Sequence, residues 1–203
     1  MDKIYSVNGP VVKVADTKSF AMQEMVYVGK KRLIGEVIRV QSDFTTIQVY
    51  EGTTGLMPDE PVTSTGAPMS ATLGPGIINN IFDGIERPLK KLEEVSGAFI
   101  ADGADVSSLD TEKKYPVTMT VKTGDKLSAG DIYCTCPETP LITHKCMLSP
   151  LSNGGEVIWT AENGDYTIND VVAKIKAPNG AVEELTLCQK WPIRTSRPCK
   201  NRL

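Results

Sequence analysis

The chain has 203 residues, 40% of them hydrophobic and 23% charged, and a net charge of −3. That balance suits a soluble globular protein with room for a sizeable core. It excludes a broad basic surface for nucleic acid, and no apolar run reaches membrane-spanning length. Aromatic residues make up only 6%, while 17 glycines and 13 prolines favour short strands joined by tight turns. The start, Met1-Asp2-Lys3-Ile4-Tyr5, is not a signal peptide, and no Asn-x-Ser/Thr acceptor occurs. Five cysteines without a secretory context imply reduced thiols and a cytoplasmic setting. One histidine, His144, rules out any mechanism that needs two.

Residues 4 to 65 read as six brief strands. Ile4–Val7 and Val11–Val14 flank an Asn8-Gly9-Pro10 turn, and Met25–Val28 ends at Gly29-Lys30-Lys31. Leu33–Val40 is the clearest strand, with Gly35 inside it suggesting a bulge or a barrel bend. Phe44–Tyr50 alternates, with Thr45, Ile47 and Val49 on one face. Pro61-Val62 opens the last strand. Strands this short and this close in sequence are best closed into a small barrel, which leaves no free edge.

The stretch Ala71–Leu89 stands between two β-runs. Gly74-Pro75-Gly76 breaks regular structure. Ile77, Ile78, Ile81 and Phe82 then call for burial, and Asp83-Gly84 turns the chain. Pro88–Val95 fits a short helix with Leu89, Leu92 and Val95 on one face. The small, acidic segment 101–110 reads as a linker or surface loop.

A second β-run begins at Tyr115, where Val117, Met119 and Val121 alternate with polar residues. Gly124-Asp125 and Gly130-Asp131 flank Leu127 like the hammerhead of a barrel-sandwich domain. Segments 132–136, 142–148 and 156–160 continue the run. Val171–Ala177 and Val182–Leu187 flank Pro178-Asn179-Gly180, a hairpin signal. The tail Trp191–Cys199 carries two prolines and reads as extended.

Sites of chemistry are sparse. A phosphate loop needs Gly-x-x-x-x-Gly-Lys-Ser/Thr. The only Gly-Lys here, Gly29-Lys30, is followed by Lys31 and has Glu24 in place of the first glycine. Gly74-x-Gly76-x-x-Asn79 lacks the third glycine of a dinucleotide fingerprint. Cys134, Cys136, His144 and Cys146 could together offer four zinc ligands. Alternate residues of a half-buried strand give the same spacing, and cysteine is commonly a small buried hydrophobe. Lys145 is the nearest candidate for a carrier lysine of biotinyl or lipoyl type, but it lacks the flanking residues that modifying ligases read. No catalytic, cofactor-binding or metal residue is assigned.

Glu51-Gly-Thr-Thr-Gly-Leu56, Leu73-Gly-Pro-Gly-Ile-Ile78 and Ile81-Phe-Asp-Gly-Ile-Glu-Arg-Pro-Leu89 together closely resemble the catalytic A-subunit (alpha-chain) family of V/A-type rotary ATPases. The resemblance continues through Val121-Lys-x-Gly-Asp125, Gly130-Asp-Ile132, Pro137-Glu-Thr139, Gly164-x-Tyr166-Thr167 and Gln189-Lys-Trp-Pro-Ile-Arg194, and ends at Arg197-Pro198. It implies a mainly β chain: a six-stranded N-terminal barrel (1–70) and a β-rich, barrel-sandwich-like bulge or non-homologous region (110–187). Between them, 71–109 would be the first edge of a nucleotide-binding domain and a linker with one short helix. Residues 188–203 would be a tail leading to the rest of that domain, where the family's phosphate loop and catalytic residues lie.

The resemblance implies a parent protein that uses ATP and Mg to couple hydrolysis or synthesis to proton or sodium transport, peripheral to the membrane on its cytoplasmic side. This chain would supply contacts to the peripheral-stalk subunits and the B subunit, would need no cofactor of its own and would not catalyse alone. The face of Ile77, Ile78, Ile81 and Phe82 is expected to self-associate if left uncovered. The alternative is a free-standing β module that binds stalk or assembly factors.

Overall fold

The computed structural model describes residues 2–15, 19–78, 80–97, 99–104 and 106–197. The fold is mainly β, with one short helix among the described residues. Two compact units divide the chain. One takes the described residues within Met1–Ser70, Leu92–Asp105 and Pro192–Arg194; the other takes those within Ala71–Lys91, Val106–Trp191 and Thr195–Leu203.

In the first unit, β1 (Asp2–Asn8), β2 (Val11–Ala15), β3 (Glu24–Val28), β4 (Leu33–Val40), β5 (Phe44–Val49) and β6 (Pro61–Pro68) form a closed barrel in the order β1-β2-β5-β4-β3-β6. The strands alternate, so Val12 and Val14, Val26 and Val28, Ile47 and Val49 all point inward and are buried. Gly35 serves this interior. A Cβ there would lie 2.8 Å from the Ile47 side chain and 3.1 Å from the Gln48 carbonyl oxygen. The irregularity expected at Gly35 falls instead between Val37 and Arg39, where the β4–β5 register shifts.

The last strand runs on to Pro68 because Glu24 secures it. The Glu24 carboxylate is buried and accepts N–H bonds from Ala21 (2.7 Å) and Gly66 (2.9 Å), and the Ser64 hydroxyl. Burial alone would raise its pKa. These bonds overcome that and hold it below the ordinary value.

In the second unit, β8 (Tyr115–Met119), β10 (Ile132–Pro137), β11 (Thr143–Met147) and β13 (Gly164–Tyr166) form one sheet, in the order β11-β10-β8-β13. A second sheet, β15-β14-β12-β9, contains β9 (Lys126–Leu127), β12 (Gly155–Thr160), β14 (Ala173–Lys176) and β15 (Val182–Leu185). Cys134, Cys146, Leu148, Val157, Ile175 and Leu187 are among the residues of the common core. A separate two-stranded ladder joins β7 (Ser70–Leu73) to β16 (Gln189–Pro192).

The two Gly-Asp turns around Leu127 are near copies of each other. Gly124 (φ +96°) donates to the Val157 carbonyl, and the Val157 N–H returns to the Asp125 carbonyl, each at 2.8 Å. Gly130 (φ +91°) donates to the Leu148 carbonyl at 3.0 Å, and the Leu148 N–H returns to Asp131 at 2.8 Å. In each turn the Asp carboxylate caps the N–H three residues earlier, Lys122 or Ser128, at 2.7 Å. Leu127 is buried between them. Gly180 (φ +86°) closes the β14–β15 hairpin, whose flanking Ala177 and Ala181 bond at 2.8 Å.

The helix α1 spans Leu89–Ser96, and Gly97 (φ +71°) ends it by donating to the Glu93 carbonyl. The expected apolar face is only one residue deep: Leu92 is buried, while Leu89 and Val95 are 38% and 73% exposed. Eight residues form barely two turns, so only the centre of the arc reaches a core. The expected extended tail also differs. The chain turns at 193–195, where the Trp191 indole N–H donates to the Thr195 carbonyl and Arg197 stacks on the Trp191 ring. Residues 198 and beyond, including Pro198 and Cys199, lie outside the described residues. Among the described residues, no helix is long and apolar enough to cross a membrane.

Candidate functional site

The stretch after β7 forms two pinned loops. In the first, Gly74 allows a close approach, since a Cβ there would lie 2.8 Å from the Cys188 Cβ and 3.0 Å from Leu109. Gly76 has φ +97°, and a Cβ on it would lie 2.5 Å from the Tyr115 hydroxyl. The N–H groups of Gly76 and Ile78 converge on one carboxylate oxygen of Glu138, at 2.8 and 3.0 Å. Asn80 closes the loop by donating its side-chain amide to the Gly76 carbonyl at 2.6 Å.

In the second loop, Asp83 is the hub. One of its oxygens accepts the N–H groups of Ile85 (3.1 Å) and Arg87 (2.8 Å), and the other accepts the Arg87 Nε–H at 2.8 Å. Phe82 and Pro88 form a bridge that closes the loop base. Burial would raise the Asp83 pKa, but the Arg87 and Ile85 donors bring it below the ordinary value. Glu86, at φ +65°, accepts the Thr72 N–H on both carboxylate oxygens at 2.9 Å. There burial wins over that bond, and the Glu86 pKa is raised.

The four apolar residues expected to share one face are divided. Ile77 packs against the core of the second unit. Ile78 is 37% exposed, Ile81 is 73% exposed, and Phe82 is half-buried in the bridge. The loop bonds its backbone around Glu138 and Asp83, and this sets the side-chain directions more strongly than hydrophobicity does.

The four candidate zinc ligands face one another across β10 and β11, with Cys134 opposite Cys146 and Cys136 opposite His144. Their surroundings are those of a core. Cys134, Cys136 and Cys146 are buried, and the thiols of Cys136 and Cys146 are pushed well above the ordinary value, chiefly by thiol–thiol hydrogen bonding, with burial adding to it. His144 instead places Nδ1 3.4 Å from Glu138. Among the described residues, no group of three or more His, Cys, Asp or Glu is arranged to hold a metal ion. Lys145 is exposed in the middle of β11, opposite Thr135, rather than at a hairpin tip where a carrier lysine would sit. Gly29-Lys30 is a turn: Gly29 has φ +74°, and the Lys30 N–H is held by Glu60 at 2.9 Å. A groove of ≈ 530 Å³ is lined in part by Lys126 and Lys176, which flank the oppositely charged Glu156 in register within the sheet.

One constellation gave no signal in the sequence. Glu36, on β4, is buried and receives both Nε (2.5 Å) and a terminal nitrogen (2.6 Å) of Arg194. The Tyr50 hydroxyl donates to the same carboxylate at 2.5 Å. Arg194 is 158 residues away in sequence, and no periodicity could have paired the two.

Residues 4–66 match the ATP synthase alpha/beta family, β-barrel domain, and residues 106–194 match the ATP synthase alpha/beta subunit barrel-sandwich domain. The whole chain is similar, at 48% identity over 203 residues, to the A subunit of the A-type ATP synthase of Desulfurococcus sp. (strain SY), covering 34% of it. It is 48% identical to the V-type ATP synthase alpha chain of Halothermothrix orenii, covering 35% of it, and 50% identical over 98% of its own length to V-type ATP synthase alpha chain 2 of Clostridium tetani, covering 33%. The chain therefore spans about a third of the length of the curated relatives it matches.

Proposed function

The chain belongs to the ATP synthase alpha/beta family, and from that premise we propose that it serves as the N-terminal, contact-making part of a catalytic A subunit in a V/A-type rotary ATP synthase. The observation that carries this reading is similarity along the whole chain, through a barrel domain and then a barrel-sandwich domain, to A and alpha chains. In this role, residues 1–70 are the crown barrel that meets B subunits, and 110–187 are the bulge that faces the peripheral stalks. Residues 71–109 begin the nucleotide-binding domain, and 188–203 lead back to it. The setting is the cytoplasmic side of a membrane.

ATP, Mg and ion coupling belong to the complete protein. No residue of this chain is assigned to them, and the reading is that the chain alone turns over no ATP. The test is an ATPase assay on the purified chain, alongside capture by purified B and peripheral-stalk subunits. Binding without turnover supports the proposal, whereas hydrolysis by the chain itself would refute it. The exposed side chains of Ile78 and Ile81 extend the reading to self-association of the isolated chain. Light scattering should show a mass that rises with concentration and falls back in Ile81→Glu; a constant monomer mass would count against it.

A further inference from the structure

The loop 74–78 is built around an anion. Two backbone donors separated by one residue, Gly76 N–H and Ile78 N–H, aim at one oxygen of Glu138. The second Glu138 oxygen lies 3.4 Å from Nδ1 of His144, and the Glu138 side chain is only 3% exposed. Beside the same glycine sits the hydroxyl of Tyr115, a buried residue whose oxygen has no hydrogen-bond partner. Burial, with Asp110, Glu138 and Cys136 nearby, pushes the Tyr115 pKa up, so the group stays an O–H donor. Backbone amides turned inward around one point form a concavity that favours negative charge. The glycine at φ +97° is what permits it.

Glu138 reaches this concavity from a fixed position. It follows β10 at the tip of the β10–β11 hairpin, where its own N–H bonds the Ile142 carbonyl at 2.9 Å. The Thr139 hydroxyl accepts the N–H groups of Leu141 and Ile142, at 3.3 and 3.0 Å, and locks the tip. Its sequence separation from the loop is 62 and 60 residues. A hairpin of the barrel-sandwich fold thus supplies the counter-charge that a loop much earlier in the chain requires.

We propose that residues 74–78 are a carboxylate cradle with Glu138 as its built-in occupant, so that the loop, and with it the placement of Ile77 and Ile78, is conditional on an anion at this point. The ligand class is a small carboxylate, the chemistry Glu138 itself presents.

The test is chemical rescue in the full chain, read by amide hydrogen exchange. In Glu138→Ala, exchange at Gly76 and Ile78 should rise at least about tenfold, the size of a lost charge-assisted hydrogen bond. The Gly124 and Gly130 amides of the hammerhead turns should stay protected. Added acetate should restore protection at Gly76 and Ile78 in a saturable way, and chloride at equal ionic strength should not. Persistent protection without anion, or equal rescue by chloride, would overturn the proposal. If Glu138→Ala also loses the control amides, Glu138→Gln decides the matter. It keeps a carbonyl acceptor but no charge, so Gly76 and Ile78 should loosen selectively and gain nothing from acetate, while an unchanged pair sinks the idea.

Discussion

The barrel and the barrel-sandwich unit are both antiparallel β structures of short strands, yet they hold together by different means. The barrel closes on itself and needs no edge protection. Its interior is almost wholly aliphatic and rich in valine, and its buried carboxylates, Glu24, Glu36 and Glu60, each take up donors of its own unit. Among the described residues, the two four-stranded sheets of the barrel-sandwich unit leave four edge strands, β9, β11, β13 and β15, and the core mixes aliphatic residues with thiols and the rings of Tyr115 and Tyr133. Aspartate-capped turns give it order. Strand pattern therefore specifies the first unit, and turn chemistry specifies the second. The same substitution type should accordingly act differently in the two.

The largest expected effect is in the barrel. Ile47 is fully buried and packs over Gly35. Ile47→Ala should cost roughly 2–5 kcal/mol, read as a lower urea midpoint by far-UV circular dichroism. Both tryptophans, Trp159 and Trp191, lie in the other unit, so the midpoint followed by tryptophan fluorescence should stay in place. A common shift of both signals would show that the two units unfold together and would weaken the contrast.

The next effect is in the turns. Gly124→Ala and Gly130→Ala each force a side chain into φ near +90°, where the space around the Cβ is open and the backbone alone resists. Each should cost about 1–2 kcal/mol, read by tryptophan fluorescence. Removing the caps instead, by Asp125→Ala or Asp131→Ala, should cost about 0.5–1.5 kcal/mol apiece. The near-identity of the two turns sharpens the test, because their costs should match. A large inequality would mean that one turn is held by something other than its own bonds.

These contrasts follow what the sequence could and could not convey. The barrel was legible because Leu33–Val40 is an apolar run rich in branched residues, Phe44–Val49 writes its faces as alternation, and five of the six strands pair with a chain neighbour across a short turn. The hammerhead was legible because Gly-Asp at φ > 0 is a local demand. The loop 71–89 was legible as a break but not as a structure. Its apolar residues suggested one face, whereas Asp83 and Glu138 satisfy the backbone first and send Ile77 and Ile81 in different directions. Glu138 and Arg194 were invisible for a simple reason. Each acts on a segment many tens of residues away, and neither leaves a periodic trace.

The smallest expected effect concerns acid, and it separates the two units by sign. In the barrel, the Arg194 guanidinium beside Glu36 is the leading cause that holds its carboxyl below the ordinary glutamate value of 4.5, with Tyr50 adding to it against burial. A carboxylate depressed on folding contributes stability that is fully present above its unfolded pKa and is lost as pH falls through the folded one. Arg194 is half exposed, so solvent and salt screen this contribution. Glu36→Gln should therefore flatten the acid limb of barrel stability below about pH 4.5 without abolishing it, because Glu24 is depressed as well. Glu86, in the other unit, is raised by burial. Its carboxylate opposes folding at neutral pH, and protonation through the raised value relieves that cost. Glu86→Gln should then stabilise the second unit at pH 7 and lose that advantage in acid. Melts at pH 7 and pH 3, followed by both signals, check the pair. If Glu36→Gln leaves the acid limb unchanged, the Arg194 contact adds nothing beyond its geometry, and the limb is carried by other carboxylates such as Glu24.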